Sequence, residues 1–285
     1  MAHDSGGAAV LSLRKALEAG VFAFDLSGSK DPAGAERILT RAFPEPGPEL
    51  LVLAGVGRSR SGMPGPANGP REFEPAGEPV DAFDDVRRLS ERLRLRRPPV
   101  LMLPTLPTDL AQRSRWIDGL ERMCEEQRIE DWAVRWDPRG PGPGPEGHSP
   151  RLLYSPASLL DRRVFDATPS AIAPGADGLF ITDPFAGGML DGRRFSSSLS
   201  NRRPLDRPPD LRGLEARFGP VLALRYLTDG TGRTLTDAAL RYLLQKPKVV
   251  SVILPLPPPE DLDRILSFEE RPPLTAAEIA RIDRP

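Results

Sequence analysis

A chain of 285 residues with 39% hydrophobic and 28% charged side chains can bury a full core. Its formal net charge of −1 gives no field to draw in nucleic acid or an anionic membrane. Cys124 is the single cysteine, which excludes a disulfide framework and a thiolate metal site, and no signal or membrane-spanning stretch is visible.

Further compositional features narrow the classes. The Arg-rich stretches Arg87–Arg97 and Arg193–Arg207 are interleaved with Leu, Asp or Pro, as solvated faces are. His3 and His148 have no Cys or His at ligand spacing, so no metal is expected. Cys124 falls on an apolar helical face and reads as inert core. Lysine is confined to Lys15, Lys30, Lys246 and Lys248 against 34 prolines, a usage that fits a GC-rich bacterial genome. The expectation is a cytoplasmic protein without nucleic-acid or membrane partners.

In chain order, Val10, Leu13 and Leu17 predict a helix over Ser5–Ala19, stopped by Gly20 and followed by a strand, Gly20–Ser27. Helix Ala33–Phe43 and strand Glu49–Ala54 come next. Gly55–Glu78 is aperiodic and rich in Gly, Pro, Ser and Arg, a long loop. Helix Val80–Leu95 leads to strand Val100–Leu103, and helix Trp116–Gln127 to strand Glu130–Trp136. Pro138, Pro141, Pro143 and Pro145 forbid a helix across Asp137–Pro150. Strand Arg151–Ser155, the irregular Val164–Gly175 and strand Leu179–Asp183 follow, then a polar loop, Ser196–Asp210, and a helix, Leu211–Tyr226.

Thr234–Leu262 is the most informative stretch. Leu235, Ala238, Ala239, Tyr242 and Leu243 recur at helical spacing, and Pro247 ends that helix. The β-branched run Val249–Leu254 then has the look of a parallel strand buried on both faces. A closing helix is expected at Ala276–Asp283. Strands alternating with helices repeat the βαβ theme and define an α/β chain of one domain, 1–285.

These segments carry a resemblance. AALRYLLQKPKVVSVILPLPPPEDLDRIL and DPFAGGMLDGRRF resemble the last third of the aldo/keto reductase family. Ala16–Asp25 resembles its first helix and the strand bearing the catalytic aspartate, Leu120–Val134 a later helix and strand, and Leu159–Arg163 its NLLDRR segment. The resemblance implies a (β/α)8 barrel, incomplete here. The family's opening strand has no counterpart in Met1–Gly7, and the Pro/Gly loop after Asp137 stands where an outer helix belongs. A seven-stranded barrel with a gap, closure by another chain, and a misassigned start are the alternatives.

The family transfers hydride from a nicotinamide to a carbonyl. A tyrosine donates the proton, a lysine held by a buried aspartate lowers its pKa, and a histidine orients the carbonyl. The resemblance places the aspartate on Asp25, the tyrosine on Lys30, the lysine on Gly55 and the histidine on Pro104. Arg135–Trp136 replace the serine–asparagine pair that binds the carboxamide, and Tyr154 replaces a glutamine. Leu254–Pro259 replace the phosphate-binding glycine and arginine, and a run of prolines has few backbone N–H groups to offer a phosphate. Gly187–Gly188 and Arg193 persist.

No bound cofactor is therefore expected, NADPH entering only under an atypical oxidoreductase alternative. Two readings remain open. In the first, the barrel mouth binds or transforms a small molecule without redox chemistry, with Asp25, Lys30 and Tyr154 as candidate catalytic groups. Ser27, Ser29, Arg58, Arg135, Trp136 and Asp183 would line the pocket. In the second, the chain is a pseudoenzyme, a scaffold whose protein partner covers the place of the missing strand.

Overall fold

The computed structural model describes residues 5–29, 31–44, 49–55, 79–107, 109–138, 150–166, 176–191 and 218–284. The chain divides into two compact units, Met1–Tyr154 with Pro169–Gly178, and Ser155–Thr168 with Leu179–Pro285. Three expected loops, 56–78, 139–149 and 196–210, lie outside the described residues, as does most of the expected helix before Tyr226.

The first unit alternates helix and strand. Helix α1, Ser5–Glu18, precedes β1, Ala23–Asp25, and α2, Pro32–Ala42, leads to β2, Leu51–Gly55. Helix α3, Pro79–Leu93, leads to β3, Val100–Leu103, and α4, Leu110–Glu125, to β4, Asp131–Arg135, with β5 at Leu152–Pro156. Neighbouring strands pair in parallel, Asp25 opposite Leu53, Gly55 opposite Met102, Leu103 opposite Val134 and Arg135 opposite Tyr154. Parallel pairing aligns the C-terminal ends of β1–β5 along one edge.

The sequence dictates these elements locally. Asp31 caps α2 by accepting the Gly34 N–H, with Pro32 pre-set for the first turn. Asp109 does the same for Gln112, which starts α4 six residues before the expected Trp116 because a cap outweighs weak apolar periodicity. Trp116, Ile117, Leu120 and Met123 are then its buried stripe. All of β3 is buried, as expected of a central parallel strand. The Arg14 guanidinium donates to the carbonyls of Ala42 and Arg41, tying α1 to the end of α2.

The second unit holds α5, Arg163–Asp166, and two parallel strands, β6, Gly178–Thr182, and β7, Val249–Val252. Its other helices are α6, Leu235–Leu244, α7, Pro259–Leu266, and α8, Ala276–Ile282. The start of α5 corrects the expectation of irregular chain from Val164. On α6, Ala238, Ala239, Tyr242 and Leu243 are fully buried, the face expected from their spacing.

Strand β7 corrects another expectation. It is not buried on both faces: Val250 is 52% exposed. The ladder runs Leu179 opposite Val249 but Phe180 opposite Ser251, so Val250 is the extra residue of a bulge and turns outward.

No strand precedes α1 among the described residues. No helix among them is long and apolar enough to cross a membrane, and no cluster of His, Cys, Asp and Glu could hold a metal ion.

Candidate functional site

Asp25 ends β1, and the chain turns back over it. Its Oδ1 accepts the Ser27 backbone N–H at 2.8 Å and the Ser27 hydroxyl at 2.6 Å. Burial raises its pKa above 3.8, opposed by those Ser27 bonds and by one from the Gly28 backbone. Among the described residues no cation pairs with this carboxylate.

The turn also fills the space beside β2. A Cβ added at Gly55, where the family resemblance puts a lysine, would lie 3.1 Å from the Ser27 Cα and 3.3 Å from its Cβ. Any side chain at Gly55 would therefore need Ser27 to give way slightly. Ser29 continues the turn, its hydroxyl accepting the Asp31 N–H at 3.2 Å.

Across β4 and β5 the register sets Arg135 beside Tyr154. The Arg135 side chain is exposed, whereas Trp136 is buried and its backbone N–H donates to the Tyr154 carbonyl at 2.9 Å. Burial pushes the Tyr154 phenol well above its usual 10, eased by Arg135 and reinforced by Asp25. Both titratable groups at this edge are thus shifted towards their neutral forms.

Asp183 belongs to the second unit. It is exposed, has φ of 51°, and uses its Oδ1 to accept the Gly187 N–H at 2.6 Å. Ala186, Gly187 and Gly188 share positive φ, so the persistent glycine pair serves a tight turn that Asp183 closes. Lys30 and Arg58 lie outside the described residues.

After β7, Pro258 is the N-cap of α7 and offers no side-chain bond, Pro259 has no N–H, and Glu260 and Asp261 occupy the first turn. Missing donors and two carboxylates make this helix start hostile to a phosphate. Cys124 is half-buried, and burial together with Asp131 and Glu121 pushes its thiol up to about 11, an unreactive group.

A groove of about 1120 Å³ lies between α2 and α3 and reaches Gly55. Its charges largely neutralise one another: Arg92 makes a two-pronged bond to Glu36, and Arg37 lies 3.7 Å from Asp31. No sequence pattern marks the Ser27–Gly55 contact, which joins residues far apart in the chain. The capping role of Asp31 was legible in Asp31–Pro32.

Comparison with known proteins gives the class. The aldo-keto reductase AKR11C1 from Bacillus halodurans superposes in its apo form with a TM-score of 0.64 at 18% identity, over 98% of this chain and 86% of that one. Its holo form gives 0.67 at 19% identity over 96% and 85%. The glycerol dehydrogenase AKR11B4 from Gluconobacter oxydans gives 0.64 at 18% identity over 99% and 85%. The fold is that of the aldo/keto reductases, an incomplete (β/α)8 barrel. In sequence, the model of the Aldo/keto reductase family matches residues 178–284, the part that carries β6, β7 and α6–α8. No curated protein matches the chain in sequence.

Proposed function

We propose that this chain uses an aldo/keto reductase fold without NADPH-dependent carbonyl reduction, and that the C-terminal edge of β1–β5 binds a small molecule in a non-redox role. The observation that carries this reading is the engagement of Asp25 by Ser27. Reduction in this family needs a phenol whose pKa a lysine lowers, with the aspartate holding that lysine. Here the carboxylate accepts from a neighbouring serine instead, and a side chain at Gly55 would press against the Ser27 backbone. The prolines and carboxylates that start α7 point the same way for the cofactor.

Calorimetric titration with NADPH tests the proposal. No heat of binding is expected at physiological cofactor concentrations. A dissociation constant in the low micromolar range would overturn it in favour of an oxidoreductase, the activity that the names of the similar structures carry.

A second reading, a non-catalytic protein with a protein partner, is favoured by exposed apolar side chains at Phe22, next to β1, and at Val250, within β7.

A further inference from the structure

We propose that residues 254–258 form a docking ridge for a protein partner whose groove is lined by aromatic side chains and rimmed by basic ones. The inference goes beyond the small-molecule reading and stands on a different part of the chain.

The backbone decides the shape. Residues 254–258 are Leu-Pro-Leu-Pro-Pro, and Pro259 follows, so each of the five is a proline, precedes one, or both. A proline ring fixes φ at about −65°, and the residue before a proline is pushed to extended ψ. Polyproline II satisfies both demands. Pro258 has it, with φ −61° and ψ 154°. Residues 253–258 belong to no helix or strand.

Polyproline II has three residues per turn, so residues i and i+3 share a face. Leu254 and Pro257 face the molecule, the first half-buried and the second buried. Pro255 and Pro258 are exposed on the next face, with the exposed Leu256 beside them. Prolines three apart with an apolar neighbour are what aromatic-lined grooves accept from a polyproline II ligand. The carbonyls of Pro255 and Leu256 accept no hydrogen bond among the described residues. They are open to a tryptophan indole N–H or a tyrosine hydroxyl. The prolines also hold the ridge in shape before any partner arrives, which lowers the ordering cost of docking.

Charge narrows the partner. From Val249 to Asp263 the charged residues are Glu260, Asp261 and Asp263, all carboxylates just past the ridge. An acidic flank calls for basic residues at that end of the groove. It speaks against a second copy of the same ridge, since like charges would meet.

Titration of the full chain into isotope-labelled SH3 and WW domains tests this, read at the indole N–H signals of their groove tryptophans. At low salt the signals of at least one domain are expected to shift saturably. Leu256→Ser combined with Pro255→Ala should weaken that binding at least about tenfold. Glu260→Gln should also weaken it, as should added salt. Leu222→Ser, at another exposed leucine of the same unit, should retain it. The unliganded double variant should melt with the native chain, because both side chains are exposed.

No shift in either domain, or a shift that survives the double variant, would overturn the inference. An equal loss with Leu222→Ser would do the same, by marking non-specific apolar contact. A clear fall in the melting temperature of the unliganded double variant would overturn it as well, by showing a ridge packed against the molecule. If that variant does not fold, Glu260→Gln decides, and unchanged binding overturns the basic-rimmed partner. NADPH binding would remove the small-molecule reading and leave this inference to its own test.

Discussion

Asp25 accepts two bonds from Ser27, yet burial still leaves its pKa above 3.8. A folded-state pKa above the unfolded one means that this group's stabilising contribution is complete below 3.8 and is lost as pH rises through the folded value. Ionised Asp25 thus costs stability at neutral pH, the mark of a residue kept for something besides folding. Asp25→Asn, whose carbonyl can still accept from Ser27, should melt at or above the native temperature at neutral pH. Its advantage should shrink as pH falls towards 3.8, read from paired thermal melts of the two proteins. Gly55 is the complementary case. The resemblance aligns it with the family's lysine, but only the packing shows that the Ser27 backbone lies against it. Gly55→Ala should cost about 1–3 kcal/mol in denaturant unfolding, the usual cost of overpacking, since a Cβ meets the Ser27 backbone at 3.1 Å. Restoring the family's groups by Lys30→Tyr, Gly55→Lys and Pro104→His should give no NADPH-dependent reduction of nitrobenzaldehyde, because a positioned proton donor without a bound hydride donor accelerates nothing. Measurable turnover would show that cofactor binding survives.

At the scale of elements, α8 is fastened by polar groups. Ile282 is its buried residue, while Glu278 pairs with the nearly inaccessible Arg233, and Asp283 accepts from the Tyr242 hydroxyl at 2.6 Å and the Lys246 ammonium at 2.7 Å. The Lys246 ammonium also lies over the rings of Tyr242, at 4.3 Å, and Phe165, at 5.5 Å. Burial pushes both carboxyls up, but the bonds to Glu278 from Arg233 and Thr275, and to Asp283 from Lys246 and Tyr242, hold them below 4.5 and 3.8. With folded pKa values lowered, their stabilisation is present above 4.5 and 3.8 and is lost as pH falls through the folded values. In acid, α8 should therefore lose amide protection before α6, measured by hydrogen exchange. Glu278→Ala should cost about 3 kcal/mol at neutral pH, because it strands a buried guanidinium and removes half of the capping box with Thr275. The helix itself was legible in the sequence. Its fastening was not, since Arg233, Tyr242, Lys246 and Asp283 have no periodic relation along the chain.

For the whole molecule, the strand–helix alternation was readable because parallel strands such as Val100–Leu103 are short, fully buried apolar runs. The aspartate at the end of β1 was readable through the family resemblance. The outward turn of Val250 was not, because a bulge depends on the register of the partner strand, and the run Val249–Leu254 looks uniformly apolar from sequence. That residue also bears on whether the chain works alone. No strand among the described residues pairs with the far side of β7, and an exposed valine beside an open edge is an invitation to pairing. If the chain acts alone, Val250→Lys should change stability by no more than about 0.5 kcal/mol, since the side chain is already 52% exposed, and should raise the temperature at which the protein aggregates. Light scattering after size exclusion should then give the mass of one chain, 31.1 kDa, for both proteins. A heavier native species that Val250→Lys reduces to one chain would show that another copy covers the edge, and would move the balance towards the partner-binding reading.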